Sequence, residues 1–138
     1  MGGAQMRVGW PSWSLEPQPA WDVSDDDECL TLTSEDGGGA FQLSSARKAH
    51  GTVTSSELEW GAKHLKGLWT SPEHVTYGPF SGVWVSSVQE GAYWRWWFLA
   101  AGPVLLRATY NAPPAFKALE LPQVEQMLRT LRVEEQRA

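Results

Sequence analysis

The sequence predicts one α+β domain, in which a mainly antiparallel β-sheet is sandwiched between helices. Three observations support this fold class. The chain has 138 residues, which is the size of one ordinary domain. Many of its apolar residues alternate with polar ones in short segments between turn residues, as in half-buried strands. At 55–68 and 122–132 the hydrophobic period changes from two residues to about 3.6, as in amphipathic helices.

The composition excludes several classes of protein. Hydrophobic residues make up 42% of the chain and charged residues 20%, which disfavours a disordered chain or a coiled coil. Every apolar run is shorter than the ~20 residues of a membrane helix, and residues 1–10 lack the apolar core of a signal peptide. Cys29 is the single cysteine, so neither an intramolecular disulfide nor a zinc site built on several cysteines is expected. We therefore expect a cytoplasmic protein with no membrane partner.

Charge is divided unevenly along the chain. Residues 1–46 hold eight acidic side chains and one basic one, Arg7, whereas residues 47–138 hold eight acidic and ten basic ones, which gives the net charge of −5. No stretch forms the basic stripe that phosphate binding requires, so nucleic acid is not an expected partner. The acidic run at 25–28 lacks the spaced ligands and the glycine of an EF-hand loop. We interpret it as a solvated turn.

The first third of the chain is predicted to form an antiparallel meander. Apolar and polar side chains alternate around Trp13, Trp21 and Leu30, and turn residues separate these segments. The next predicted turn is at 35–39 and contains the glycine triplet at 37–39, and a strand at 40–46 follows it. This triplet is not a phosphate-binding loop, because no Lys-Ser/Thr follows it and no helix begins there.

The first helix has a clear start signal in Thr54-Ser55-Ser56-Glu57. The hydroxyl of Thr54 and the carboxylate of Glu57 fit a capping box, so we place the helix at 55–68. Its core face carries four residues at helical spacing: Leu58, Ala62, Leu65 and Trp69. Trp60 lies nearly opposite this face and is expected to be partly exposed.

Four strands are predicted after this helix, at 75–80, 83–88, 93–100 and 104–111. A turn at 89–92 gives two opposed pairs, Trp84 with Trp97 and Val88 with Tyr93. A two-residue loop at Ala101-Gly102 gives three more, Leu99 with Val104, Trp97 with Leu106 and Trp96 with Arg107. Both faces of the last hairpin are largely apolar, so we expect it to be central, covered on both sides, and to bury Trp97.

The second helix is predicted at 122–132, after the Pro113-Pro114 linker. Pro122 suits the first turn of a helix, and a stripe of apolar residues follows it on one arc of the helical wheel. We place the whole domain at residues 8–133 and expect flexible termini at 1–7 and 134–138.

Four groups of residues carry a resemblance to a known family. They are Trp13-Ser14-Leu15 with Trp21, Leu30-Thr31-Leu32-Thr33 through Gly37-Gly38 to Phe41-Gln42-Leu43-Ser44, Trp96-Trp97-Phe98, and Leu105-Leu106-Arg107-Ala108-Thr109-Tyr110-Asn111. In these residues and in the order of its elements, the chain resembles the PsbP-like superfamily over about residues 8–133. That superfamily includes the photosystem extrinsic protein, the DcrB-type bacterial proteins, a Ran-binding nuclear-import factor and secretion-effector chaperones.

The resemblance implies an α/β/α sandwich that binds other proteins, and it supplies no catalytic residue. The chain differs from DcrB-type proteins in lacking an N-terminal lipoprotein signal, which argues against a periplasmic location. His50, His64 and His74 have no second ligand at helical metal-binding spacing, so we predict no metal site and no cofactor. Enzymatic activity stays open, with no catalytic residue predicted.

Two classes of function remain. The first is a non-enzymatic protein-binding module, such as a chaperone, an adaptor or an immunity-type protein. The chain has nine tryptophans, and Trp, Tyr and Arg are enriched among interface anchors. In this reading Trp60, Lys63 and His64 form part of a surface that binds another protein. Nothing in the sequence indicates a homo-oligomer.

The second class is a small-ligand or catalytic pocket lined by Trp94, Trp96 and Arg107, with Arg107 holding an anion. The alternative is that the two indoles are core residues and that Arg107 stacks on one of them. A helix closed over Trp94 and Trp96 would favour the core interpretation, and a concave opening would favour the pocket.

Overall fold

The structure is a computed structural model, described here for residues 7–10, 12–25, 29–35 and 38–134. Within these residues the chain forms two helices and ten strands in two sheets, and every strand pair is antiparallel. This is the predicted α+β fold class. Most of the predicted acidic turn (26–28) and part of the predicted glycine turn (36–37) lie outside the described residues.

The elements follow one another in an order close to the predicted one. The first part comprises β1 (Val8–Trp10), β2 (Trp13–Leu15), β3 (Trp21–Asp25), β4 (Leu30–Ser34), β5 (Ala40–Arg47) and α1 (Ser55–Lys63). The second part comprises β6 (Glu73–Tyr77), β7 (Phe80–Gln89), β8 (Ala92–Ala101), β9 (Val104–Ala112), α2 (Pro114–Arg129) and β10 (Arg132–Val133). The large sheet has the order β3-β4-β5-β9-β8-β7-β6, and the small one β1-β2-β10. The β8-β9 hairpin is therefore central, as predicted.

The two faces of the large sheet bury separate cores. The larger core lies on the α2 side and includes Trp97 and Tyr110 of the sheet with Met127 of the helix. The smaller core lies on the α1 side and contains six buried residues: Leu58, Ala62, Val83, Val85, Phe98 and Ala100. Because successive side chains of a strand point to opposite faces, the alternation in β8 places Trp97 and Phe98 in different cores.

Trp97 lies at the centre of the larger core and has no exposed surface. Its ring meets Phe41 edge to face at 6.0 Å between centroids, and its Nε1 donates a hydrogen bond of 3.1 Å to the Tyr77 hydroxyl. Trp84 lies opposite Trp97 and Val88 opposite Tyr93. The predicted burial of Trp97 and the predicted register of β7 with β8 are both confirmed.

The predicted register of β8 with β9 is wrong by two residues. The observed pairs are Leu99 with Leu106, Trp97 with Ala108 and Trp96 with Thr109. The loop is Gly102-Pro103, because its first residue has a φ of +58°, which glycine adopts freely, and the fixed φ of proline suits the next position. A shift of two residues returns each side chain to its own face, so the predicted faces of the hairpin are correct.

The first helix begins where predicted and ends earlier, at Lys63 rather than at 68. Its capping box is formed, because Thr54 Oγ1 accepts from the Glu57 amide at 3.2 Å and Glu57 Oε1 accepts from the Thr54 amide at 2.9 Å. Gly67 has a φ of +104°, which an α-helix does not contain. Leu65 and Trp69 reach the smaller core from the loop that follows the helix.

The second helix begins at Pro114, eight residues before the predicted Pro122. Pro114 stands in the first turn, where a backbone N–H makes no hydrogen bond within the helix, so a proline there costs none. Pro122 lies inside the helix and removes one backbone hydrogen bond. All of residues 114–119 except Phe116 are exposed, so the first turns show no apolar stripe. The helix ends at Arg129, and Arg132–Val133 form a strand instead of the predicted last turn.

Ordered contacts reach one residue beyond each end of the predicted 8–133 domain. Arg7 Nη1 lies 3.0 Å from Glu16 Oε2, and Arg7 Nη2 donates a 2.7 Å hydrogen bond to the Thr130 carbonyl. The Glu134 amide donates to the Ser12 carbonyl at 2.9 Å. These bonds attach the small sheet to the end of α2.

Candidate functional site

Helix α1 covers only part of its side of the large sheet. It packs mainly on β7 and β8, and on the β9 side of the same face Leu105 and Thr109 are half-buried and Arg107 is exposed. The expectation that both faces of the β8-β9 hairpin are covered is therefore correct for the α2 side and wrong for part of the α1 side. A nine-residue helix is too short and too narrow to cover a seven-stranded sheet.

An open groove of about 580 Å³ runs beside this helix, and we call it the α1 groove. Its floor is apolar and consists of Leu58, Phe98 and Leu105. The helix wall is formed by Ser56, Glu57, Trp60 and Gly61, and the opposite wall by Ala46, Arg47, Lys48 and Val53, with Arg107 at the end. A β-carbon at Gly61 would lie 3.2 Å from the Phe98 ring, so the helix lies close on the floor at this point.

Trp60 stands on the helix wall of the α1 groove and is 63% exposed. Its ring stacks on His64 with 4.0 Å between centroids and 22° between planes. A ring nitrogen of His64, Nδ1, lies 2.7 Å from the Trp60 carbonyl oxygen. The predicted exposure of Trp60 is confirmed, and its ring packs on the His64 ring at the helix surface.

A second opening of about 270 Å³ lies further along the same sheet face, and we call it the tryptophan depression. Eight residues line it: Cys29, Gln42, Leu43, Ser44, Trp94, Trp96, Arg107 and Thr109. Trp96 stacks on Phe98 at 5.7 Å between ring centroids, and Phe98 belongs to the floor of the α1 groove. Arg107 lines both openings, so the two openings adjoin one another on one face.

The charged side chains of the α1 groove are three bases and one acid. Lys48 Nζ lies 2.8 Å from Glu57 Oε1, and this hydrogen bond, with the one from the Thr54 backbone, lowers the pKa of Glu57 to about 2. Arg47 and Arg107 are exposed, and neither forms a side-chain hydrogen bond or ion pair with the described residues. The groove therefore carries two uncompensated positive charges in a chain whose net charge is −5.

The structure brings most of the predicted site residues to one sheet face. Trp60 and Arg107 line the α1 groove, and Trp94 and Trp96 line the tryptophan depression. His64 joins them through its contact with Trp60. Lys63 does not, because it lines a different, smaller depression beyond the helix end.

Sequence reasoning missed three contributors to this site, Phe98, Leu105 and Arg47. The alternation of the strands placed Phe98 and Leu105 on the same face as Trp96, which was a usable signal. That signal does not show which part of the face a helix leaves open. Arg47 at the end of β5 carries no sequence signal of its own.

The described residues contain neither a metal-binding cluster nor a membrane-spanning helix. No group of three His, Cys, Asp or Glu side chains in that part of the chain is placed to hold a metal ion. No helix there combines the length and the apolar character needed to cross a bilayer.

Comparison with known proteins shows what this fold resembles. No protein-family description and no curated protein matches the sequence. A protein from Bacteroides thetaiotaomicron VPI-5482 is 16% identical with a TM-score of 0.64, over 90% of this chain and 46% of that one. The present chain thus spans about half the length of the Bacteroides protein.

Two other solved structures match over most of both chains. LpqN, involved in cell envelope biogenesis of Mycobacterium tuberculosis, is 12% identical with a TM-score of 0.63, over 94% of this chain and 90% of that one. The Saccharomyces cerevisiae Ran-binding protein Mog1p is 10% identical with a TM-score of 0.57, over 88% of this chain and 90% of that one. At these identities the likeness shows the fold alone, an α+β fold with neighbours of PsbP-like type.

Proposed function

We propose that the protein is a non-enzymatic protein-binding module of the PsbP-like superfamily and that the α1 groove is its binding surface. The observation that carries this proposal is the apolar lining of the groove, in which Trp60 is exposed and Leu105 half-buried beside the buried Leu58 and Phe98. Residues that anchor protein interfaces are enriched in tryptophan and arginine, and they lie in pockets from which the partner excludes water. The cytoplasmic location expected from the sequence is part of the same proposal.

Similarity to a Ran-binding protein supports a role in binding proteins and does not name the partner of this chain. The shape of the site supports a polypeptide more directly. The α1 groove and the tryptophan depression adjoin at Arg107, which makes one extended surface rather than a single enclosed cavity. A chain segment can follow such a surface, whereas a small ligand is held best where it is enclosed.

The test compares Trp60→Ala with the wild-type protein, using a partner isolated by affinity purification from the native lysate. We expect the thermal midpoint to stay almost unchanged and binding to weaken by ~2 kcal/mol or more, which is roughly thirty-fold in Kd. Leu68→Ala is the control, because Leu68 is 92% exposed and does not line the groove. Loss of stability with unchanged binding would show that Trp60 supports the fold and that the surface lies elsewhere.

A second candidate function is the binding of a small anionic ligand in the tryptophan depression, and a specific observation favours it. Trp94, Trp96 and Arg107 line a concave opening there, as the pocket hypothesis requires. Its volume of about 270 Å³ is slightly below the ~300–1,000 Å³ of ordinary ligand pockets, so we rank it second.

A thermal-shift screen with aromatic carboxylic acids distinguishes the two candidate functions. A small-ligand site predicts stabilisation that Trp94→Ala and Arg107→Met abolish and that Trp60→Ala leaves intact. No stabilisation at millimolar ligand would count against the small-ligand candidate and leave the protein-binding proposal in place.

A further inference from the structure

We infer that the α1 groove selects a polypeptide segment in which an acidic side chain lies close to a large apolar one, with the Arg107 guanidinium binding the carboxylate. This inference rests on the proposed function and states the chemistry of the partner. Three features of the groove support it: the position of Arg107, the balance of charge, and the cost of covering an unpaired arginine.

Arg107 occupies a central position on the open sheet face. It lies on β9 with Ser44 of β5 opposite on one side and Phe98 of β8 on the other. Its side chain is exposed, it lines both openings, and it has no side-chain partner among the described residues. A guanidinium has five donors in a fixed fork that fits both oxygens of a carboxylate. A segment that fills the α1 groove therefore passes beside a free binding group for an acid.

The charges of the groove favour an acidic segment and disfavour a basic one. Lys48 and Glu57 compensate each other at 2.8 Å, and Glu57 is also held by the helix cap. Arg47 and Arg107 have no charged partner among the described residues, and both are positive. Because the whole chain is acidic, with a net charge of −5, this positive site is where an acidic segment is attracted rather than repelled.

The apolar lining of the groove is the reason that the segment also needs a large apolar side chain. Leu58 and Phe98 are buried, so the apolar surface that water covers is that of exposed Trp60 and half-buried Leu105. Displacing water from these two side chains with an apolar side chain is favourable. The same displacement removes water from the neighbouring Arg107, and a charge that loses water without gaining a partner is costly. A purely apolar segment pays this desolvation penalty, whereas a segment with an acidic residue close to its apolar anchor avoids it. The pair of residue types is therefore favoured over either type alone.

The experiment begins with a random peptide library displayed on phage and selected on the wild-type protein. We expect the enriched peptides to share a large apolar residue with Asp or Glu nearby. A synthetic peptide of the consensus and its Asp→Asn or Glu→Gln counterpart are then titrated by fluorescence anisotropy. The proteins compared are the wild type, Arg107→Met, which keeps the length of the side chain and removes its charge, and the control Arg129→Met on α2.

The result expected is a loss of roughly tenfold or more in affinity for either change alone, the scale of a hydrogen bond to a charged group. Neutralising the peptide should have little further effect on Arg107→Met, because the two groups interact with each other. Arg129→Met should bind like the wild type. Thermal midpoints of the variants, measured alongside, should match the wild type because both arginines are exposed.

The outcomes distinguish this inference from the proposed function. Enriched peptides that need Trp60 but carry no acid, or that bind Arg107→Met as tightly as the wild type, would overturn the inference and leave the proposed function standing. Enriched peptides whose binding is unchanged in Trp60→Ala would overturn the α1 groove as the binding surface. Failure to enrich any peptide would count against both.

Discussion

Trp97 is the side chain whose removal should damage the larger core most. It is fully buried, meets Phe41 edge to face and donates a hydrogen bond to Tyr77. Trp97→Ala would leave a large cavity and remove one hydrogen bond to the Tyr77 hydroxyl, which keeps its bond to Glu125, so we expect it to lower the free energy of unfolding by ~3–5 kcal/mol. Urea denaturation followed by far-ultraviolet circular dichroism would measure the change.

Trp60→Ala is the matched control for that experiment, since it makes the same substitution at a site that is 63% exposed. Substitutions of exposed residues that make no specific stabilising contact usually change the free energy of unfolding by about 0.5 kcal/mol or less. Equal losses at the two positions would contradict the burial difference between the two indoles.

The hydrogen bond between Tyr110 and Glu120 is a second feature at the residue scale. Glu120 has no exposed surface, its Oε1 accepts from the Tyr110 hydroxyl at 2.7 Å, and its Oε2 has no hydrogen-bond partner among the residues that the structure describes. Burial, with the hydrogen bond to Glu120, raises the pKa of Tyr110. Tyr110→Phe would leave both carboxylate oxygens without a partner, so we expect a loss of ~1–3 kcal/mol of stability.

A double-mutant cycle checks the cause of that loss. In a Glu120→Gln background the same Tyr110→Phe substitution should cost less, because a neutral amide is easier to bury than a carboxylate. Identical losses in both backgrounds would show that the cost comes from packing around the ring and not from the hydrogen bond.

At the scale of elements, Glu57 links the start of α1 to Lys48, the residue after β5, and accepts hydrogen bonds from Lys48 and from the Thr54 amide. These bonds lower its pKa from the ordinary 4.5 to about 2. A carboxyl with a depressed pKa stabilises the fold above its unfolded pKa, and the contribution is lost as the pH falls through the folded value. We therefore expect the stability difference between wild type and Glu57→Gln to decrease as the pH falls from about 4.5 to about 2.

A nuclear magnetic resonance titration of the Glu57 carboxyl carbon tests this directly, with a midpoint expected near 2. Lys48→Met should move the midpoint upward, because the Lys48 hydrogen bond is the largest cause of the shift. A midpoint at the ordinary value in the wild type would show that the contact is not maintained in solution.

The starts of the two helices differ in how well the local sequence predicts them. The capping box is a contact between residues three positions apart, so Thr54 and Glu57 identified the start of α1 correctly. The sequence does not indicate the start of α2, because Pro114 and all of residues 115–119 except Phe116 are exposed and show no periodicity. A helix is recognised from its apolar stripe only where it touches a core.

At the scale of the whole molecule, the sheet order predicts a gradient of local stability. β8 and β9 are paired on both sides, whereas β3 and β6 stand at the edges of the large sheet. Amides that are paired and buried exchange only on large-scale unfolding. We therefore expect the slowest amide exchange in β8 and β9 and the fastest among strands at the outward amides of β3 and β6, measured by nuclear magnetic resonance in D₂O. Equal protection in β3 and β8 would indicate that β3 is paired in solution with a further strand.

The sequence by itself determined the α+β class, the two faces of the β8-β9 hairpin, the start of α1, the burial of Trp97 and the exposure of Trp60. These features follow from strand alternation, capping and helical spacing, which act between residues a few positions apart. Only the tertiary structure decided the register of β8 with β9, the full length of α2 and the meeting of Trp60 with Arg107 at one groove. The groove depends on how α1 docks on the sheet, and the register depends on the turn geometry at Gly102-Pro103. The first turns of α2 are exposed and therefore carry no apolar stripe. Packing between segments distant in the chain sets that docking, and no local pattern encodes how much of the sheet a helix leaves open.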